Sequence, residues 1–357
     1  KLTAEASGYK TISRKVDVSE DTVKFYLKLK KAGEPSDGTG SNDSVFTGTE
    51  ATGTIINFGS YPQSKVTDSA TLKKLDNASK QWESYEYYSG TGDWDDGNME
   101  PSDYMKYADI KLGGEKYRAV TFSEYRQDLT GETQIFSSQY YNGYNENTVY
   151  YFKYEPLKWR VLDAVTGLVV CDSIIDSQAY NNYFLYSDSE YWGDSEQTYY
   201  ASNWEYSSLR EWLNNDFYNT AFSKIQQGRI KELTRENESV TNGIYDSNPT
   251  SDKITLLSYN EVLNENYGFS SSYNANDTAR QRKGTDYAKC QGLSILWWRL
   301  RSPQSSCTAA AVDNNGWALN YYYSTTDYVC STDNGVVPAL NLTKSKISES
   351  SARKAQV

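Results

Sequence analysis

Histidine is absent from this chain of 357 residues. Imidazole supplies the base of serine and cysteine hydrolase triads, and it supplies ligands in HExxH zinc sites and facial-triad iron sites. The sequence therefore excludes all of these chemistries, and any metal site would need oxygen or sulfur ligands. We expect no catalytic residue, no metal and no cofactor, so the chain is predicted not to be an enzyme.

Basic residues are fewer than acidic ones, 36 against 47, and the formal net charge is -11. An acidic chain without a segregated basic patch repels phosphate backbones, so we expect no nucleic-acid partner. Long apolar runs are also lacking. No segment approaches the ~18 apolar residues of a membrane-spanning helix, so we expect no membrane insertion.

Cysteine occurs only four times, at Cys171, Cys290, Cys307 and Cys330, and no two are spaced as CxxC. A structural zinc site and a thioredoxin-like redox motif therefore lack support. Cys307 and Cys330 flank a loop-rich stretch and are candidates for a disulfide if the chain is exported. Cys171 ends an apolar run and is expected to be a buried thiol.

The scarcity of methionine and the abundance of Tyr, Asn, Ser, Thr and Asp favour an extracellular protein. The chain starts at Lys1 and shows no signal peptide, which favours a mature or truncated piece. The compartment is therefore inferred from composition, without a targeting signal.

The chain divides into four segments. Residues 1–30 alternate as three short strands and resemble the C-terminal strands of small immunoglobulin-like β modules in bacterial surface proteins. Residues 31–54 are rich in Gly, Ser and Thr and predict a flexible linker. Residues 55–343 are dense in aromatic residues and predict one large domain, and residues 344–357 form a polar tail.

The large domain is predicted to be α+β, with few helices and long loops. Asp68 is expected to cap a helix, and Ser208 and Ser258 each open a capping-box sequence. Short apolar or alternating runs predict strands at 117–122, 149–152, 158–162, 168–171, 254–257 and 336–342.

Several motifs jointly resemble a large domain family that occurs in surface proteins of Gram-positive gut bacteria. They are "INFGSYPQ" at 56–63, "WRVL" at 159–162, "LREWLN" at 209–214, "LWWRLRSP" at 296–303 and "NGVVPALNL" at 334–342. The resemblance spans about residues 55–343. Two positions depart from the family pattern: Arg299 is inserted after the tryptophans, and Val337 replaces an arginine, which removes any salt bridge of that arginine.

The resemblance implies a C-type-lectin-like fold with long loop insertions, related to the core of the formylglycine-generating enzyme. The cysteine pair of that enzyme is not matched by Cys307 and Cys330, so its activity is not carried over. Some proteins of this broader group are variable proteins of diversity-generating retroelements, in which Asn, Tyr, Ser and Asp vary in the C-terminal loops. Those four residue types occupy 16 of the 33 positions from 302 to 334.

The residue types in that region favour binding without the resemblance. Tyrosine offers a large rigid contact area, and Asn and Ser adapt their hydrogen bonds to a partner. A strand at 319–323 could instead turn alternate tyrosines into the core. Residues 139–145 have a similar composition and are a second candidate for the same surface. We predict that a protein or glycan contacts Asp313, Asn314, Asn315, Trp317, Asn320, Tyr321, Tyr322, Tyr323, Asp327 and Tyr328.

A frame of core residues is expected to hold these loops in place. Its predicted members are Trp159, Trp212, Trp297, Trp298 and Arg301. The sequence thus predicts an extracellular ligand-binding or adhesion domain on a bacterial cell surface. A structural spacer domain is the simpler interpretation if the aromatic residues near 321–323 are buried.

Two chemical alternatives rest on acidic residues. A carbohydrate-active enzyme could use a carboxylate pair such as Asp188 and Glu190, provided that the carboxyl groups lie at the required separation. The acidic turn at 93–98 has oxygen ligands suited to calcium but lacks the distal bidentate glutamate of an EF-hand loop. A solvated acidic turn is therefore the preferred interpretation of that segment.

Overall fold

A computed structural model provides the fold of the chain. It describes residues 43–85, 103–126, 138–182, 199–240, 243–294, 296–320 and 328–345, and it gives four further strands by their bounds. Within these residues the protein is a mixed α+β structure in which strands predominate and helices are few. The same residues include no helix of the length and apolar character needed to cross a membrane.

The described strands are mostly short. The first half comprises β1 (Leu2–Ala4), β2 (Ile12–Arg14), β3 (Ile55–Lys65), β4 (Glu83–Ser84), β5 (Tyr87–Gly90), β6 (Met99–Ser102), β7 (Met105–Leu112), β8 (Glu115–Phe122), β9 (Tyr150–Asp163), β10 (Leu168–Cys171), β11 (Ser173–Ile174) and β12 (Asp176–Ser177). The second half comprises β13 (Ile230–Lys231), β14 (Leu233–Asn237), β15 (Ser247–Asp252), β16 (Ile254–Thr255), β17 (Lys283–Gly284), β18 (Trp298–Pro303), β19 (Ala309–Val312), β20 (Ala318–Leu319), β21 (Gly335–Val336) and β22 (Ala339–Leu342).

The described helices are short as well. They are α1 (Ser69–Asn77), α2 (Ser138–Tyr141), α3 (Ser208–Trp212), α4 (Tyr218–Ala221), α5 (Lys224–Gln227) and α6 (Asp286–Cys290). A π-helical turn at Leu213–Phe217 joins α3 to α4, and 3-10 turns occupy Glu261–Leu263 and Glu265–Tyr267.

A nine-stranded sheet forms the larger layer, in the order β13-β22-β10-β9-β8-β7-β4, with β3 beside β9 and β16 beside β22. The 14 residues of β9 run through the middle and pair with β3, β8 and β10. Two separate strands were predicted here, at 149–152 and 158–162. One continuous strand forms because Pro156, which has no N–H to donate, faces Ser60 where a bulge shifts the register of β3.

A five-stranded sheet, in the order β12-β21-β18-β19-β20, contains the C-terminal motifs. β18, β19 and β20 are successive antiparallel strands. The loop at 304–308 and residue Asn320 therefore lie at one end of this sheet, and the turn at 313–317 lies at the opposite end. A 3.0 Å hydrogen bond from Gln304 Nε2 to the carbonyl oxygen of Leu319 agrees with that placement.

One hydrophobic core contains residues of both sheets. Trp159 of β9 and Trp298 of β18 are fully buried in it. Each buried indole N–H needs an acceptor. Trp159 Nε1 donates to the carbonyl oxygen of Phe58 at 2.7 Å, and Trp298 Nε1 donates to that of Arg280 at 3.1 Å.

The helix starts show how far local patterns determine the fold. The Asp68 carboxylate accepts from the N–H of Thr71 at 2.8 Å and caps α1, as predicted. Ser258 and Glu261 exchange both bonds of a capping box, although a 3-10 turn follows. The third prediction is wrong by one residue: Ser207 caps α3, because Ser208 Oγ accepts from the N–H of Asn182 instead.

The predicted linker at 31–54 is wrong in its second part. Phe46 is fully buried, and the N–H of Gly53 donates to the carbonyl oxygen of Val161 at 2.8 Å. Residues 43–54 therefore belong to the folded domain, held there by the buried Phe46 and by hydrogen bonds to β3 and β9. Of the predicted module at 1–30, the described part is the antiparallel pair β1–β2, and residues 346–357 of the predicted tail lie outside the described residues.

Candidate ligand-binding surface

The predicted contact residues are divided between the two ends of the five-stranded sheet. Residues 313–317 form the turn between β19 and β20, whereas Asn320 follows β20 at the opposite end. Tyr328 bridges to Thr308 in the loop region after β18. Four further predicted residues lie outside the described part of the chain: Tyr321, Tyr322, Tyr323 and Asp327.

Asp313 and Tyr328 were predicted as ligand contacts, but both are buried, 7% and 9% exposed. Asp313 Oδ1 accepts from the N–H of Asn315 at 2.8 Å and from the N–H of Trp317 at 2.7 Å. This arrangement is an Asx turn, so the carboxylate shapes the loop from within. Tyr328 packs in a small cluster with Cys307 and Cys330. Neither side chain presents a surface to a partner.

Cys307 and Cys330, the candidate disulfide, meet in that buried cluster. Cys171, at the end of β10, is a thiol and is fully buried, as expected. Burial raises the pKa of Cys171 to about 12. Its thiol is therefore protonated at neutral pH and chemically inert.

Fewer of the predicted frame residues are buried in the structure than the sequence analysis expected. Trp159, Trp298 and Arg301 are buried, whereas Trp212 and Trp297 are only partly buried. Arg301 donates to the carbonyl oxygen of Leu256 at 2.8 Å and pairs with the carboxylate of Glu261. Burial alone would raise the pKa of Glu261, but the charge of Arg301 and the hydrogen bonds from Arg301 and the Ser258 N–H together outweigh burial, so the pKa is lowered.

A loop at 270–281, which sequence analysis did not select, packs against the turn at 313–317. Trp317 Nε1 donates to Asn276 Oδ1 at 2.7 Å, and the N–H of Ala318 donates to the carbonyl oxygen of Tyr273 at 2.7 Å. Residues 270–277 read Ser-Ser-Ser-Tyr-Asn-Ala-Asn-Asp. This is the same mixture of residue types that predicted contacts at 302–334, so composition alone could have predicted this loop as a contact region.

Arg280 fixes this loop from inside the core. Its guanidinium is fully buried and donates to four backbone carbonyl oxygens, of Val262, Ser270, Ser272 and Ala275. Its Nε lies 3.3 Å from the carboxylate of Asp277. Burial lowers the pKa of Arg280, and the charge of Asp277 opposes that shift. The loop is therefore tied to one side chain at several points along its backbone.

Six aromatic and amide side chains of the two loops, five exposed and one half-buried, are called here the turn surface: Tyr273, Asn274, Asn276, Asn314, Asn315 and Trp317. Tyr273 is 44% exposed and Trp317 is half-buried. Aromatic faces can pack on apolar groups of a partner while neighbouring amides donate and accept hydrogen bonds. These six side chains carry no acid or base, so their chemistry suits binding.

The segment at 139–145 packs on α6. Asn142 Nδ2 donates to the carbonyl oxygens of Lys289 and Leu293 at 3.2 and 2.7 Å, and Tyr144 donates to that of Asp286 at 2.8 Å. The structure thus attaches this segment to α6, and the expectation that it joins the surface at 302–334 stays a prediction.

The acidic alternatives concern residues that are not described. Asp188, Glu190 and the turn at 93–98 all lie outside the described residues. Within the part of the chain that the structure describes, no three Cys, Asp or Glu side chains are grouped so as to hold a metal ion.

These features define an α+β domain that presents a polar and aromatic surface on a hairpin turn and a neighbouring loop. A family model described as a domain of unknown function (DUF6273) matches residues 169–344, which include every residue of the turn surface. No curated protein and no solved structure matches the chain.

Proposed function

We propose that this chain contains an extracellular, C-type-lectin-like domain of a bacterial surface protein that binds a protein or glycan through the turn surface. The observation that carries the proposal is the 2.7 Å hydrogen bond between Trp317 and Asn276. It joins two loops that each combine asparagines with one aromatic residue, Tyr273 in one and Trp317 in the other. Adhesion to another cell or to a glycan layer is the role that fits such a domain.

Pre-organisation supports this proposal on energetic grounds. Ordering flexible loops on binding costs free energy, typically about 0.5–1.5 kcal/mol for each rotamer-rich side chain. Here Asp313 shapes one loop and Arg280 fixes the other before any ligand arrives. The exposed tyrosine and asparagine side chains can therefore contact a partner at a small entropic cost.

The same proposal includes a variable region. Retroelement-variable proteins change Asn, Tyr, Ser and Asp codons in C-terminal loops, and residues 302–334 have that composition here. We propose that alleles of this gene segment differ chiefly in the exposed positions of 302–334 and leave buried Asp313 unchanged. Sequencing many alleles tests this, because an even spread of changes along the domain would contradict it.

The binding proposal is tested with a glycan array and with capture of surface proteins, using the native chain and the double variant Tyr273→Ala with Asn314→Ala. Both side chains are exposed, and the Tyr273 contact to Ala318 uses the backbone oxygen. We expect binding to fall by at least about tenfold, as for a contact worth ~1.4 kcal/mol or more. The melting temperature should stay within a few degrees.

Trp82→Ala is the matched control, because Trp82 is an aromatic residue of similar exposure, 39%, that lies just before β4, outside both 139–145 and 302–334. A second double variant, Tyr321→Ala with Tyr323→Ala, removes the predicted contact residues that follow β20 in the sequence. If only this second variant loses binding, the ligand site lies beyond β20 and the turn surface is not the site. Full binding by both double variants would contradict a site in either place.

A further inference from the structure

The loop at 270–281 and the turn at 313–317 are in direct contact at several points. At one of them, Gly316 lies so close to Asp277 that an added Cβ would come within 2.2 Å of its backbone oxygen. The side chains of the turn surface are therefore held as neighbours. The hydrogen bonds between the two segments run from Trp317 Nε1 to Asn276 Oδ1 at 2.7 Å, from the N–H of Ala318 to the carbonyl oxygen of Tyr273 at 2.7 Å, and from Gln281 Nε2 to the carbonyl oxygen of Asn315 at 3.1 Å.

Every exposed residue of these two segments is uncharged. The charged residues of the loop pair with each other, since Arg280 is buried and its Nε lies 3.3 Å from the Asp277 carboxylate. The charged residue of the turn, Asp313, is buried as well. The nine exposed residues are Ser271, Ser272, Tyr273, Asn274, Asn276, Thr278, Gln281, Asn314 and Asn315. Because 23% of the whole chain is charged, about two charged residues would be expected among nine. A ligand here meets amides, hydroxyl groups and aromatic rings, and no counter-charge.

The size of this surface favours a small ligand. Standard protein interfaces take about 20–30 residues from each partner. That is more than twice the nine exposed residues of the two segments. A small ligand, in contrast, needs only an apolar face and a few well-placed polar groups. The two segments provide enough contacts for a short oligomer of small units, and too few for a folded protein.

Sugar rings match the groups that the turn surface offers. A pyranose has C–H groups on its faces, which the negative face of an aromatic ring attracts, and Tyr273 is 44% exposed. Neighbouring hydroxyl groups at the sugar rim need both donors and acceptors. Trp317 occupies the Asn276 oxygen, so Asn276 Nδ2 remains as a donor among the described residues. Asp313 occupies Asn315 Nδ2 at 3.3 Å, so Asn315 Oδ1 remains there as an acceptor.

We infer that the turn surface binds a neutral oligosaccharide, with one sugar ring stacked on Tyr273 and hydroxyl groups bonded to the asparagines. This ligand class rests on the proposed function and narrows it from a protein or glycan to an uncharged glycan. An acidic glycan would find no counter-charge on the two segments, and the net charge of -11 would repel it.

The test sorts the binding of the whole chain by the charge of the probe. An array of neutral, carboxylated and sulfated oligosaccharides is followed by isothermal titration of each compound that binds. We expect neutral compounds to bind and the acidic ones to fail. The affinity should be the same in about 0.05 and about 0.5 M sodium chloride, because salt screens only charges. Binding of acidic compounds alone, or an array on which no neutral compound binds, would overturn the inference.

Tyr273→Phe and Tyr273→Ala separate ring stacking from hydrogen bonding by the phenol. Both variants keep the backbone oxygen that the N–H of Ala318 uses. The affinity for the neutral compound should stay within about threefold in Tyr273→Phe, which keeps the aromatic face. It should fall about tenfold or more in Tyr273→Ala. Equal losses in the two variants would contradict the stacked sugar.

Thr278→Asp and Thr278→Lys place opposite charges beside the turn surface. Thr278 is exposed, and its side chain makes no hydrogen bond to another described residue, so both variants should keep the melting temperature. A neutral ligand should bind the two variants with affinities within about twofold of each other. Opposite changes in affinity would show that the ligand is charged, and the assignment of a neutral glycan would be wrong.

The double variant Tyr273→Ala with Asn314→Ala separates the ligand class from the proposed function. If the native chain captures surface proteins but no neutral glycan, and the double variant loses that capture, the turn surface is a binding site for proteins and the neutral glycan is wrong. If the double variant binds every glycan and protein as the native chain does, both the ligand class and the turn surface are wrong.

Discussion

The phenol of Tyr61 donates a 2.7 Å hydrogen bond to Asp176 Oδ2, and this bond joins the nine-stranded sheet to the five-stranded sheet. Both residues are buried, 3% and 1% exposed. Asp176 Oδ1 also accepts from the N–H of Ser177 at 2.7 Å and from Gln178 Nε2 at 3.2 Å. Three neutral donors thus hold a carboxyl group in the interior.

This carboxyl group makes the stability of the domain depend on pH. Burial raises the pKa of Asp176 from 3.8 to about 6, against the opposing effect of its hydrogen bonds. Because the folded pKa is raised, the group favours the folded state below about pH 4, and that contribution is lost as pH rises through about 6. The corresponding change in the free energy of unfolding is about 3 kcal/mol.

Asp176→Asn should remove this dependence. The stability of the native chain relative to the variant should therefore fall between pH 4 and pH 7, as measured by urea denaturation at several pH values. Tyr61→Phe keeps the carboxyl group but removes a donor that lowers its pKa, so the fall should extend to higher pH and become larger. A native-to-variant difference that stays constant with pH would contradict the raised pKa.

Gly316 permits the close approach of the two loops of the turn surface. Its φ is +86°, and a Cβ there would lie 2.2 Å from the backbone oxygen of Asp277. Gly316→Ala must therefore move a backbone segment, and we expect it to cost about 1–3 kcal/mol of stability and to weaken ligand binding. Gly143→Ala is the control, since its φ is +81° but nothing lies within 4 Å of the added Cβ. Equal losses in the two variants, measured by denaturant titration, would show that loop contact plays no part.

The tryptophans of the predicted frame should differ in their contribution to stability. Trp159 is fully buried with a bonded indole N–H, so Trp159→Ala should cost roughly 3–5 kcal/mol in denaturant titration. Trp212 is only partly buried and stacks on Phe217 with ring centroids 5.7 Å apart. Its replacement by Ala should cost clearly less. Equal costs would mean that Trp212 is as important to the core as Trp159.

Local sequence signals predicted some elements well. The Asp68 cap and the strand at 168–171 depend on neighbouring residues alone, and both are confirmed. The one-residue error at Ser208 arose because a distant N–H, that of Asn182, uses the hydroxyl group. Phe46 shows the same limit of local signals, because its burial attaches the mostly polar segment 43–54 to the domain.

The candidate site could be predicted only in part, for a similar reason. Composition indicated 302–334 as rich in residue types that make contacts, but it does not distinguish a surface Asp from one that shapes its own turn, such as Asp313. Which loops meet is decided by tertiary contacts. The meeting of the turn at 313–317 with the loop at 270–281 depends on strand order and on Arg280, and neither can be read from residue types.

Cys307 and Cys330 are expected to form a disulfide when the protein is secreted. Both thiols are buried in one cluster, and the bridge between Thr308 and Tyr328 pairs their chain segments. Neighbouring thiols on paired segments oxidise in an oxidising compartment, so protein secreted into such a medium should contain a 307–330 disulfide. Closing that loop should stabilise the domain by about 2–4 kcal/mol relative to the reduced chain.

Peptide mapping without reductant measures the linkage, with denaturant titration of the Cys307→Ser and Cys330→Ser variants alongside. If both cysteines of the secreted, unfolded protein still react with a thiol reagent, the reduced pair is its natural state, and the cluster contributes through packing alone.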